Sequence, residues 1–154
     1  MHRWWSAAVL AAMVSVALGA ATLVGAAPAG ASSALSVHVT PSKGLVSGQS
    51  VVVSGRGLAK TYHGKAESWF ITECNADVQG ELNAAADEKH CDISLAKQLT
   101  VSAKGTFSTH FAVATGVVGD GSCGTAGHLS CVIGVGTVQS QGTVVRITFK
   151  APTT

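Results

Sequence analysis

From residue 35 onward apolar and polar positions alternate along the chain. Leu35, Val37 and Val39 are separated by Ser36 and His38, and Val51 and Val53 resume the spacing after the punctuation between Gly44 and Gly48. A period of two marks a strand with one buried face, so residues 35–39 and 51–53 are predicted strands joined by turns. Five more segments follow: residues 67–74 (ESWFITEC), 97–101 (KQLTV), 106–113 (TFSTHFAV), 130–136 (SCVIGVG) and 143–149 (TVVRITF). In the last of these Val145, Ile147 and Phe149 share one face, and Val144, Arg146 and Thr148 the other. Seven short strands divided by Gly, Ser, Asn or Lys-Gly turns predict an all-β sandwich. Helix formers with an acidic beginning occur at residues 80–90 (GELNAAADEKH), which are predicted to form a helical turn in a long loop. Trp69 suits the buried aromatic of a sandwich core, with a place in a binding surface as the alternative.

Composition changes this picture at the N-terminus. His2 and Arg3 precede an apolar run from about Ser6 to Val24, which dissolves into AAPAGASS. Residues 1–31 thus read as a secretory signal peptide cleaved after Ala31, with Ala27 the next candidate, and the protein as secreted. The run is also long enough for an uncleaved anchor, since about 18 apolar residues span a bilayer. Residues 32–154 suffice for one domain with its own core and are too few for two. Without Arg3 the chain has nine basic and eight acidic residues, a net charge of +1. That balance excludes the strongly basic face of a typical nucleic-acid-binding domain.

Cys74, Cys91, Cys123 and Cys131 all lie in this domain. An even number in a small exported domain implies disulfides, with three pairings open; pairing neighbours would close two short loops. Zinc is the rival reading, but no C-x-x-C spacing is present and the compartment is oxidising. The motifs of nucleotide binding, serine hydrolysis and zinc proteolysis are absent from the sequence. His38, His63, His90, His110 and His128 stand singly and read as solvated, with no metal site among them. Asp77, Glu81, Asp87, Glu88 and Asp92 crowd around Cys91. A flexible acidic loop rarely fixes the carboxylate separation that glycoside hydrolysis needs, so this too reads as solvated. A Gly- and Val-rich, charge-poor, disulfide-stapled domain reads as a rigid secreted binding or carrier module and not as an enzyme.

The run VTPSKGLVSGQSVVVSGRGL at residues 39–58 resembles the N-terminal signature of the neocarzinostatin family, the apoproteins of enediyne antibiotics. ESWFITEC looks like the strand bearing the family's first cysteine, and CDISLAKQLTVSAKGTFSTHFAV, from Cys91, resembles the segment after its second. Cys123, Cys131 and the following VIGVG look like the second disulfide and its strand, and GTVVRITF like the closing strand. The resemblance implies a seven-stranded immunoglobulin-like Greek-key sandwich with a small two-stranded ribbon, and disulfides Cys74–Cys91 and Cys123–Cys131. It further implies a monomeric carrier that holds an enediyne-type chromophore without covalent attachment and shields it. Antibacterial activity is implied as well, with DNA reached only through the ligand.

The expected cleft is lined by Cys74, Cys91, Cys123, Cys131, Val132 and Gly134, and the candidate ligand-binding residues are Trp69, Ala76, Ala96, Val132, Gly134 and Gly136. Several depart from the family pattern. Ala76 stands where the family has tryptophan, Ala96 where it has phenylalanine, Val132 where it has glutamine and Gly136 where it has serine. The aromatic-bearing loop before the third cysteine shrinks to residues 114–122 (ATGVVGDGS), while the loop between Cys74 and Cys91 is longer and more acidic. Aromatic faces grip flat ligands by stacking, so the implied grip is rebuilt here. The alternative is a secreted structural or protein-interaction module on the same scaffold that has lost chromophore binding.

Overall fold

Val51 and Val53 are buried while Val52 between them is exposed, and this alternation organises the first of two sheets. The computed structural model describes residues 34–78, 82, 89–138 and 142–152. The signal segment at residues 1–31 lies outside the described residues. So does most of the helical turn expected at residues 80–90, of which Lys89 and His90 are helical.

In the first sheet β1 (Ser36–Thr40) pairs antiparallel with β2 (Ser50–Arg56). The chain then forms a two-stranded ribbon, β3 (Thr61–Tyr62) with β4 (Lys65–Ala66), before crossing to the second sheet. There β5 (Trp69–Asn75) pairs with β6 (Lys97–Gln98). β7 (Phe107–Ala112) returns to the first sheet beside β2. A second ribbon of β8 (Gly116–Val118) and β9 (Gly121–Cys123) follows. The chain ends with β10 (Ser130–Thr137) against β5 and β11 (Gly142–Thr148) against β10. The sheet orders are β1-β2-β7 and β11-β10-β5-β6, the Greek-key arrangement of an immunoglobulin-like sandwich. All seven predicted strands are present, and the disulfides are Cys74–Cys91 and Cys123–Cys131, the pairing implied by the resemblance.

Two differences have local causes. The strand expected at residues 97–101 stops at Gln98, because Leu99 turns into the core while its N–H donates to the Trp69 carbonyl at 2.8 Å. The segment at 114–122, read as a shortened loop, holds the ribbon β8–β9. Its turn passes through Gly119 at φ 58, where a Cβ would lie 2.4 Å from the His90 carbonyl carbon; only glycine permits that approach.

The core lies between the sheets. Val51, Val53, Phe107 and Phe111 face Ile71, Ile133 and Ile147 across it, and Trp69 is buried among them with its Nε1 donating to the Ala59 carbonyl at 2.7 Å. Ile133 sits at the middle of β10 and is wholly buried. Ile133→Ala is expected to lower unfolding stability by about 2–5 kcal/mol, read from the denaturant midpoint. A loss below about 1 kcal/mol would contradict its place at the centre of the core.

Candidate functional site

β10 has neighbours on both edges, so its backbone groups are engaged in ladders with β5 and β11. Its side chains divide by face. Cys131, Ile133 and Val135 enter the core, while Val132, Gly134 and Gly136 point outward. On β5, Trp69, Ile71 and Glu73 face inward, leaving Phe70, Thr72 and Cys74 on the same outer surface as the two glycines. One end of that surface is covered. The Cys74–Cys91 disulfide packs there with Val78, Leu82 and Val132 as a second, smaller core. A Cβ on Gly134 would lie 3.0 Å from Leu82 Cδ1 and 3.5 Å from Cys74 Sγ, so the bare backbone lets Leu82 seat closely over the strand.

The other end is open, a cleft of about 540 Å³. Gly134 and Gly136 form its floor with Phe70 and Thr72 beside them, Leu82 and Cys91 close its inner end, and Thr137 and Val138 stand at the end of β10. The remaining wall is the 3-10 turn Ile93–Leu95 with Ala96 after it. Hydrogen bonds hold this wall in place. Asp92 accepts from the Ser94 N–H at 3.1 Å, its own N–H donates to the Glu73 carbonyl at 2.9 Å, and Thr72 Oγ1 donates to the Asp92 carbonyl at 2.7 Å. The cleft can take up an apolar molecule of a size suited to cavities of about 300–1,000 Å³.

Of the residues proposed from sequence, the cleft brings together Ala96, Gly134, Gly136 and Cys91. The others lie elsewhere. Trp69 is on the inner face of β5, in the core. Cys123 and Cys131 are also inside the sandwich, on the far side of β10. Cys74 and Val132 are sealed in the small core beneath Leu82. Ala76 follows the last residue of β5, in a turn away from the cleft lining. Phe70, Thr72, Leu82, Ile93, Thr137 and Val138 escaped the sequence reading. For Phe70 and Thr72 a signal was present, since alternation back from Cys74 places both on its face.

The sequence profile of the neocarzinostatin family matches residues 37–149, most of the chain. The chain belongs to the neocarzinostatin family. Among solved structures, that of macromomycin shares 26% identity with a TM-score of 0.55, covering 76% of this chain and 100% of its own. The solution conformation of apokedarcidin shares 25% identity with a TM-score of 0.48, covering 75% of this chain and 98% of its own. No curated protein matches the chain.

In this neocarzinostatin-family chain two carboxyl groups, those of Asp120 and Glu73, are set in structural contacts around β5. The Asp120 carboxylate gathers three donors, His90 Nδ1 at 2.7 Å and Asn75 Nδ2 at 3.0 Å to its Oδ1 and Lys89 Nζ at 3.2 Å to its Oδ2, while the Asp120 backbone N–H donates to the Lys89 carbonyl at 2.8 Å. His90 foremost holds the Asp120 carboxyl down at about 2. The network ties the chain entering Cys91 to the ribbon β8–β9.

Glu73 is different, being 1% exposed on the core side of β5. Its Oε2 accepts from the Ala114 N–H at 2.8 Å, while Oε1 has no partner. Glu73, Cys123 and Cys131 bring ligand atoms within 4.8 Å of one another, but both sulfurs are joined in a disulfide and offer no thiolate. Burial is the main cause that raises the Glu73 carboxyl from 4.5 to about 7, opposed by the Ala114 hydrogen bond and assisted by Asp92. Between these values the unfolded chain is ionised while the folded one keeps its proton. Folding then takes up a proton, and stability falls as pH rises from about 4.5 to about 7, by on the order of 3 kcal/mol in all. Glu73→Gln is expected to remove most of that fall in urea midpoints measured between pH 5 and pH 8. A fall of the same size in the variant would assign it to other groups.

Proposed function

We propose that this protein is a secreted carrier that holds a small apolar ligand, without covalent attachment, in the cleft on the outer face of β5 and β10. The observation that carries the reading is the floor of that cleft. Gly136 leaves the outer face of a fully laddered sheet without a side chain, next to Gly134 under Leu82 at the inner end, beside Phe70 and under the aliphatic side chains of Ile93 and Val138. A solvent-facing apolar hollow of this size suits a bound molecule better than water. Family membership supports the same reading, since carriage of a protected chromophore is what the resemblance implies. The two disulfides suit an oxidising, extracellular setting. Among the described residues no helix is long and apolar enough to cross a membrane.

The chemistry in this reading belongs to the ligand. The protein supplies a dry, shaped surface, and antibacterial or DNA-directed effects would come from what it releases.

Calorimetric titration with small apolar alcohols, both aliphatic and polycyclic, is expected to show saturable binding with one site. Gly136→Val places a β-branched side chain on the floor and is expected to weaken that binding roughly tenfold or more, while β propensity favours the strand itself. Unchanged affinity in this variant, with the fold intact, would sink the cleft as the site. No saturable binding by any compound would favour the protein-interaction alternative.

A further inference from the structure

The cleft's walls also bear on what kind of molecule it takes, an inference that rests on the carrier reading above. We infer that the cleft selects an uncharged, non-planar aliphatic ligand over a flat aromatic one or an anion. Stacking needs aromatic faces to stack on, and Phe70 is the one aromatic among the described lining residues. The other apolar side chains of the lining are Leu82, Ile93, Ala96 and Val138, branched or small aliphatic groups whose surface is uneven. Ile93 is 52% exposed and Val138 70% exposed, so apolar side chains at the mouth face water until something covers them. A flexible or branched hydrocarbon follows such walls, whereas a rigid plane meets one ring and leaves gaps against the rest.

An anion finds no compensation here. The described lining residues include no ionisable side chain. The lining carries two hydroxyls, on Thr72 and Thr137, and the Thr72 hydrogen is committed to the Asp92 carbonyl at 2.7 Å. The floor offers no spare backbone donors either, because Gly134 pairs with Thr72 and Val144, and Gly136 with Phe70 and Gly142. A carboxylate or phosphate entering the cleft would give up hydration with no opposite charge among the described lining residues to replace it.

The test is a calorimetric titration of the purified protein with three probes: decanol, decanoate and anthracenemethanol. Decanol is expected to bind saturably and roughly tenfold or more tighter than either of the others. Ala96→Phe adds a second aromatic face beside Phe70, since Ala96 lies two residues before Gln98, the ladder partner of Phe70. This variant is expected to shift the preference toward anthracenemethanol by roughly tenfold. Equal or tighter binding of decanoate or anthracenemethanol by the unaltered protein would overturn the inference and leave the carrier reading standing. An unchanged decanol-to-anthracenemethanol ratio in Ala96→Phe would overturn the part assigned to aromatic faces. Failure of all three probes to bind would overturn the carrier reading and the inference together.

Discussion

The structure depends on the double burial of β10. A strand with neighbours on both edges satisfies its backbone polar groups through the ladders, but it still presents two faces that must be kept from water. The inner face is met by the opposite sheet through Cys131, Ile133 and Val135. Among the described residues no second sheet lies above the outer face. At one end the chain covers it with its own side chains, using the Cys74–Cys91 disulfide to bring Leu82 and Val78 down onto Val132 and Gly134. At the other end the strand carries glycine, and the surface stays open as the cleft. The same disulfide thus builds one wall of the cleft and fixes the depth at which it begins.

The polar groups placed around this strand pair serve to hold the walls in position. Thr72 and the Glu73 backbone carbonyl anchor Asp92, and Asp92 in turn caps the turn that carries Ile93. Asn75 reaches in the opposite direction, to Val118 and Asp120 of the second ribbon. The Glu73 side chain joins that ribbon's approach at Ala114 and places a carboxyl in the core with Oε1 left without a hydrogen bond. β5 therefore joins the cleft face and the ribbon through alternate residues of a single strand.

Much of the fold was legible in the residues. Period-two valines marked β1 and β2, and the alternating run from Val145 to Phe149 marked β11, because each of these strands has one buried face to satisfy. β8 and β9 were not legible, since GVVGDGSC is too short and too rich in glycine to show alternation. The cleft was legible only in part. Gly134 and Gly136 stood out by resemblance, and Phe70 was within reach of the same alternation that put Cys74 outside. Trp69 reads first as a core aromatic, which it is, and also as a binding candidate; its one-residue offset from Phe70 places it on the inner face. Ile93, Thr137 and Val138 were hidden because they reach the cleft through a turn and a strand end, where no period operates.

The central claim is that the bare outer face of β10 is where a ligand sits. The most direct measurement is an amide chemical-shift map of the isotopically labelled protein during titration with decanol. The account predicts saturable changes concentrated at Phe70, Ala96, Gly134, Gly136 and Thr137, with the β1-β2-β7 sheet undisturbed. Changes confined to that other sheet, or no saturable change at the two glycines, would contradict it.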